Sequence, residues 1–361
     1  MIQETLRNMN EKEKMVLAGL IHYPSSPDIE ISQNVDIKHS TFATIKKRLA
    51  LNKMFRRYYL PNFTDLGAEI LSIILRDVSE SNATKGISSK PLVENLTFLK
   101  EFSNILLSSI ETNISLSISI DQNYSELSRF LWEFDQKAKQ NRIEFDKRLD
   151  LHFPVNFSEI PRFLDFSRSI TNHLGIFLPP SPFRPTFLPK NPNPNITKLG
   201  WEIYLKILKN PWSSPREIAE MINKPRTTTT RWLRNFTQSG LLTPRIIPNL
   251  KKVGYQISLA SHITIVSSNR KMFSQVLKIL DNELTPIILI RSDHDLFYIA
   301  PFASFESALE CESKFIESMN EASLNFKTNY RYIFSFPHTH FQTTLDDSLE
   351  NLVKSFGLIK N

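Results

Sequence analysis

A single cysteine, Cys311, in 361 residues excludes an intramolecular disulfide and a thiolate metal cage. Its neighbours read as one face of an amphipathic helix, which predicts a small hydrophobe packed against a core. Glycine is also scarce, with eight in the chain, and no glycine-rich phosphate loop occurs. HExxH and Cys/His zinc spacings are missing, so neither a metal nor a bound cofactor is expected. His338 and His340 bracket one residue, but with no third ligand nearby they read as surface histidines. No local motif pairs a nucleophile with a base, which predicts a chain that is not an enzyme. The N-terminal stretch MIQETLRNMNEKEK has no apolar signal core. The longest apolar stretches, such as 70–75, fall far short of the ~20 residues that span a bilayer. These absences predict a cytoplasmic protein with no membrane partner.

Hydrophobic residues make up 41% of the chain, enough to build cores and to exclude wholesale disorder. Lys and Arg outnumber Asp and Glu by 44 to 37, a net charge of +7. That excess permits an anionic partner, and its placement along the chain is more informative than its size.

Compared with itself, the chain shows a duplication. Residues 24–70 align without a gap on 211–257, at a constant offset of 187. Pro24 falls on Pro211, Ile31 on Ile218, Thr41 on Thr228, Pro61-Asn62 on Pro248-Asn249, and Gly67 on Gly254. Between the copies, residues 176–196 are rich in proline, which fixes φ and removes a donor, so a semi-extended linker is expected. The domains predicted are winged helix-turn-helix modules at 10–62 and 197–249. α/β sandwiches follow at 63–175 and 250–361, each ending in an extra helix, at 161–174 and 345–356.

Each copy opens with three short helical patterns and a strand. In the first copy these are 11–22, 28–34 with Ser26 placed as its cap, 39–52, and a strand at 54–60. In the second they are 199–208, 215–222, 226–239 ended by Gly240, and a wing strand at 241–247. Strand, helix, two strands across a turn, helix and strand then follow, the order of a ferredoxin-like sandwich. The fold class predicted is α+β, a tandem duplication of a winged helix-turn-helix plus that sandwich.

Charge concentrates in the winged modules. Residues 216–252 hold eight basic and two acidic side chains, a net of +6; residues 28–62 hold seven and three, a net of +4. Together they exceed the charge of the whole chain, so the basic footprint is localised. On the helix at 226–239, Thr229, Trp232 and Phe236 share the inward face. Arg226, Thr227, Thr230, Arg231 and Arg234 share the outward one. In the first copy Lys38, His39, Ser40, Thr44, Lys47 and Arg48 are the corresponding candidates. Arg56, Arg57 and Arg245 are the candidates on the wing strands. Arg reads guanine bidentately, and Thr and Lys reach phosphates or a thymine methyl. Double-stranded DNA is the partner these residue types suit.

The string SSPREIAEMINKPRTTTTRWLRNFTQSGLL, the connector Ile247 to Tyr255 and the turn Ser292-Asp293-His294-Asp295-Leu296 together resemble the Lrp/AsnC family of regulators. The resemblance covers the second copy nearly end to end and the first by element order. It implies a sequence-specific transcription regulator reading two half-sites. It also implies a small-molecule effector near the Ser292–Asp295 turn and dimerisation through the sandwiches. Family members usually carry one such unit per chain, whereas here two are fused. The turn also has Ser292 where the family has Gly. The same architecture is similar to siroheme decarboxylases, which also occur as fused pairs and would bind a tetrapyrrole. The stretch Arg291 to Tyr298 echoes their His- and Tyr-rich hairpin only in part. A winged-helix scaffold for protein contacts is the third reading.

Overall fold

The computed structural model describes residues 9–78, 97–110, 114–141, 143–179, 196–266, 270–336, 340–343 and 349–355. Three helices open the chain: α1 (Glu11–His22), α2 (Asp28–Asn34) and α3 (His39–Leu51), followed by β1 (Phe55–Pro61). Their counterparts are α6 (Lys198–Lys209), α7 (Pro215–Met221), α8 (Arg226–Ser239) and β7 (Leu242–Pro248). All four pairs start 187 residues apart, as the self-alignment predicts.

Local chemistry sets these helices. Asn10 and Glu13 form a capping box on α1, and Ser214 and Glu217 form one on α7. Helix α2 lacks such a cap. Its N-cap is Pro27, the counterpart of Ser214, so the expected Ser26 cap is not formed. Gly19 lets α1 approach α2 closely. A Cβ there would lie 2.6 Å from Val35 Cγ1 and 3.0 Å from Ile31 Cγ2. Gly19→Ala is therefore expected to destabilise the chain by roughly 1–3 kcal/mol through overpacking. A shift in the urea midpoint measures this, and an unchanged midpoint would contradict it.

The first sandwich holds β2 (Ile70–Val78), a 3₁₀ turn (Thr97–Glu101), β3 (Ile105–Ile110), β4 (Ile114–Asp121), α4 (Tyr124–Gln140) and β5 (Phe145–Pro154). After it come β6 (Ser158–Arg162) and α5 (Ser167–Leu174). The second holds β8 (Ile257–Ile265), α9 (Arg270–Glu283), β9 (Ile288–Ser292), β10 (Asp295–Phe302), α10 (Phe305–Glu321) and β11 (Phe326–Ser335). Then come β12 (His340–Thr343) and α11 (Leu349–Ser355). The helix expected at 161–174 is shorter than its sequence pattern, because its first residues belong to β6. A helix expected at 91–102 in the first copy lies partly outside the described residues, and the linker positions 180–195 and His338 lie wholly outside them.

The sheets pair in a way the repeats do not suggest. One has the order β11-β8-β10-β9-β6, the other β12-β3-β4-β2-β5. The strand after the first sandwich therefore completes the sheet of the second, and the strand after the second completes the sheet of the first. The compact units follow this exchange. One comprises 1–58, 159–186 and 244–337; the other comprises 59–158, 187–243 and 338–361. Each unit thus joins the helix-turn-helix of one copy to the sandwich of the other. The expected wings also differ: β1 and β7 pair with each other as a two-stranded sheet.

In the first unit, Ile257, Leu259, Ile263, Leu296 and Tyr298 pack under Phe273, Val276, Leu280, Phe315 and Met319 of α9 and α10. Cys311 is partly buried against this core, as a small hydrophobe. Helix α1 packs on α5, where His173 stacks on Tyr255 at 4.2 Å and Ser169 meets the Tyr255 hydroxyl at 2.7 Å. In the second unit, Ile74, Ile105 and Ile110 pack under Phe130 and Phe134 of α4. No helix among the described residues is long and apolar enough to cross a membrane.

Candidate nucleic-acid interface

Helix α8 carries four consecutive threonines, whose β-branching disfavours helix, so its packing must hold it. Thr229 and Phe236 are buried. Phe236 meets Tyr204 edge-on at 5.2 Å and Trp232 at 5.3 Å. Gly240, in the left-handed region at φ 79°, ends the helix as its sequence position predicts. This anchoring fixes the opposite face outward.

On that face Arg226, Thr227, Thr230, Arg231 and Arg234 are all exposed and together line one surface concavity of about 480 Å³. None of the three guanidinium groups makes a hydrogen bond or ion pair among the described residues. Among the described residues no acidic side chain lines the concavity. Five candidates from this helix are thus brought together as one unpaired cationic surface.

Helix α3 presents a weaker version. Lys38, His39, Ser40, Thr44 and Lys47 are exposed. Thr44 Oγ1 donates to the Ser40 carbonyl at 2.9 Å within the helix. Arg48 is exposed but pairs with Glu13 at 2.8 Å, and Lys46 pairs with Asp28 at 2.7 Å.

The strand candidates divide. Arg56 is exposed and Arg57 is half-buried. Arg245 is buried, with Nε donating to the Phe163 carbonyl at 3.4 Å, and it cannot reach a ligand in solvent. That expectation is corrected by the burial of strand β7, in which every residue but Thr243 is buried, Arg245 included. The counterpart of Arg245, Tyr58, is buried too, a signal the repeat already contained.

Two polar clusters escaped the sequence reading. In the second unit a cavity of about 450 Å³ is lined by Glu101, Asp121, Glu126, Glu133, Arg129 and Phe102, among others. Burial pushes the Asp121 carboxyl up to about 6, against hydrogen bonds from Asn104 Nδ2 (2.8 Å) and Ser119 Oγ (3.2 Å) that favour its charged form. A carboxyl whose folded pKa lies above its unfolded value holds extra protons in the folded chain. Stability from this group therefore falls as pH rises from about 4 to about 6. Asp121→Asn is expected to stabilise the chain at pH 7.5 and to leave it unchanged near pH 4. Denaturant midpoints at the two pH values check this, and equal effects at both would contradict it.

In the first unit, on the sheet face away from α9 and α10, His262 Nε2 meets Asp295 Oδ1 at 2.9 Å. Thr264 donates to the same oxygen at 2.9 Å, and Asn329 Nδ2 donates to Thr264 at 2.6 Å. Tyr330 lies parallel to the imidazole with ring centres 6.3 Å apart. These residues sit on three different strands, so no local spacing could reveal them. Among the described residues no group of His, Cys, Asp and Glu is placed to hold a metal ion.

No family model matches the chain, and no curated protein is similar to it in sequence. Among solved structures, the chain is similar to the siroheme decarboxylase NirDL in co-complex with an iron-uroporphyrin III analogue. The match covers 96% of this chain and 98% of that one, with a TM-score of 0.50 and 12% identity. It is also similar to an AsnC family transcriptional regulator from Agrobacterium tumefaciens, over 40% of this chain and 90% of that one (TM-score 0.33, 10% identity). AsnC of E. coli covers 39% and is covered to 91% (TM-score 0.30, 18% identity). The chain shares its fold with NirDL over nearly its whole length, and is of the α+β class with repeated domains. The expectation of a chain that is not an enzyme is overturned by the NirDL match, since the structure that matches end to end is that of an enzyme.

Proposed function

We propose that the chain binds double-stranded DNA through the outward face of α8, with α3 as a second and weaker contact. The observation that carries this reading is the concavity lined by Arg226, Thr227, Thr230, Arg231 and Arg234, where three guanidiniums stand without a protein partner. Leaving three like charges together costs stability unless an anion compensates them, and a phosphate backbone does so while base edges take the forked donors. Sequence-specific regulation, self-association through the sandwiches and a small-molecule effector belong to the same reading. A fluorescence anisotropy titration of the full chain on random duplex at low salt tests it. Binding in the micromolar range or tighter supports the reading, and no binding overturns it.

A second reading, a tetrapyrrole-binding enzyme, is favoured by the full-length likeness to NirDL. We assign it to the sandwiches rather than the winged helices, which leaves the two readings compatible. The His262–Asp295 pair with Tyr330 is the cluster suited to proton handling in such a role. The cavity of the second unit does not suit a polycarboxylate, because Glu101, Asp121, Glu126 and Glu133 face it against Arg129. The likeness over the whole length of the chain favours this reading at least as much as the first. Titrating iron-uroporphyrin into the purified protein decides it, since a bound pigment shifts its absorbance.

A further inference from the structure

Given DNA binding by α8, the two helix-turn-helix modules differ in how their arginines are held, and that difference bears on specificity. A guanidinium reads guanine only if its fork is free to meet the O6 and N7 acceptors together. On α8, Arg226, Arg231 and Arg234 meet that condition. On α3 the sole arginine, Arg48, is paired with Glu13 at 2.8 Å; Lys47 is exposed and cannot make the bidentate contact. Eight residues separate Arg226 from Arg234, a rise of about 12 Å along a helix, which spans roughly three to four base pairs. Among the described residues no carboxylate lines the α8 concavity, so none there accepts from cytosine N4 and biases readout away from guanine.

We infer that α8 is the specificity-determining reader, selecting a half-site with two or three guanines within about four base pairs, while α3 grips the backbone with little base preference. The recognised duplex is then asymmetric, one half defined by guanine and the other by charge alone. This inference rests on the proposed DNA binding and is more specific than it.

Selection of binding duplexes from a randomised pool, with the full chain and with Arg231→Lys and Arg234→Lys variants, tests it. Lysine keeps the charge and loses the fork, so a base-reading arginine and a phosphate-gripping one respond differently. The expected result is a guanine cluster on one side only. Each Lys variant should lose roughly 5- to 150-fold of the preference for guanine at one position, with a smaller loss of affinity for random duplex. Lys47→Ala should weaken all duplexes alike. A symmetric selected site, or a guanine preference that survives both Lys variants, overturns the inference and leaves DNA binding standing. Failure to bind any duplex at low salt overturns both.

Discussion

Replacing Arg162 by Met is expected to destabilise the first unit by about 3–5 kcal/mol, because it strips the partner from buried carboxylates. The Arg162 side chain is fully buried at the end of β6. Its Nε donates to Asp281 Oδ1 of α9 at 2.7 Å, and its Nη1 donates to Asp165 at 3.1 Å. Arg168 takes the other Asp281 oxygen at 2.7 Å, and the Ser167 amide donates to Asp165 at 3.0 Å. Burial alone would raise the Asp165 carboxyl, but Arg245 and Arg162 hold it below its ordinary range. The network ties the exchanged β6–α5 segment to the second sandwich, so its loss should loosen that strand as well as cost energy. Urea unfolding of the full chain reads the change. A difference under about 1 kcal/mol would show that Arg162 is an expendable buried charge. Because the folded-state pKa of Asp165 is depressed, its contribution is present above the ordinary carboxylate pKa and is lost as pH falls through the depressed value.

The second large effect falls on binding. The triple variant Arg226/Arg231/Arg234→Ala is expected to lose at least 100-fold in affinity for duplex DNA. Each guanidinium supplies roughly 1–3 kcal/mol where it meets a base bidentately, and less where it meets a phosphate. The slope of log K against log salt should flatten by about 0.9 for each arginine that faces a phosphate. All three side chains are exposed and outside any core, so the variant should keep its fold. Equal binding by the triple variant would remove α8 from the interface. Arg245→Ala, by contrast, should act on stability first, since Arg245 is buried beside Asp165.

Much of this architecture can be read from the residues. The constant offset of 187 places α1, α2, α3 and β1 on α6, α7, α8 and β7 without a slip, because buried positions such as Ile31 and Ile218 repeat with the turn residues. Alternating and helical periods also give the sandwich strands and helices to within a few residues. The reciprocal pairing of β6 and β12 is not legible. A strand pattern states which face is apolar, while two related sheets offer equivalent edges, so the choice of edge depends on chain geometry alone. The same ambiguity made Arg245 look like a solvent-facing wing residue. Strand β7 pairs with β1 and turns that position inward, as its buried counterpart Tyr58 indicates. Of the candidate interface, the α8 face was legible because a single helix carries it. The Asp121 cavity and the His262–Asp295 pair were not, because they assemble from elements far apart in the chain.

The central claim is that the unpaired arginine face of α8 serves an anionic duplex. The salt dependence of random-duplex binding by the unmodified full chain tests it most directly. A steep linear fall of log K with log salt, between about 50 and 200 mM, is the predicted result, corresponding to several phosphates neutralised per complex. No measurable binding at 50 mM, in a protein whose absorbance responds to added iron-uroporphyrin, would contradict the claim and move the function into the sandwiches.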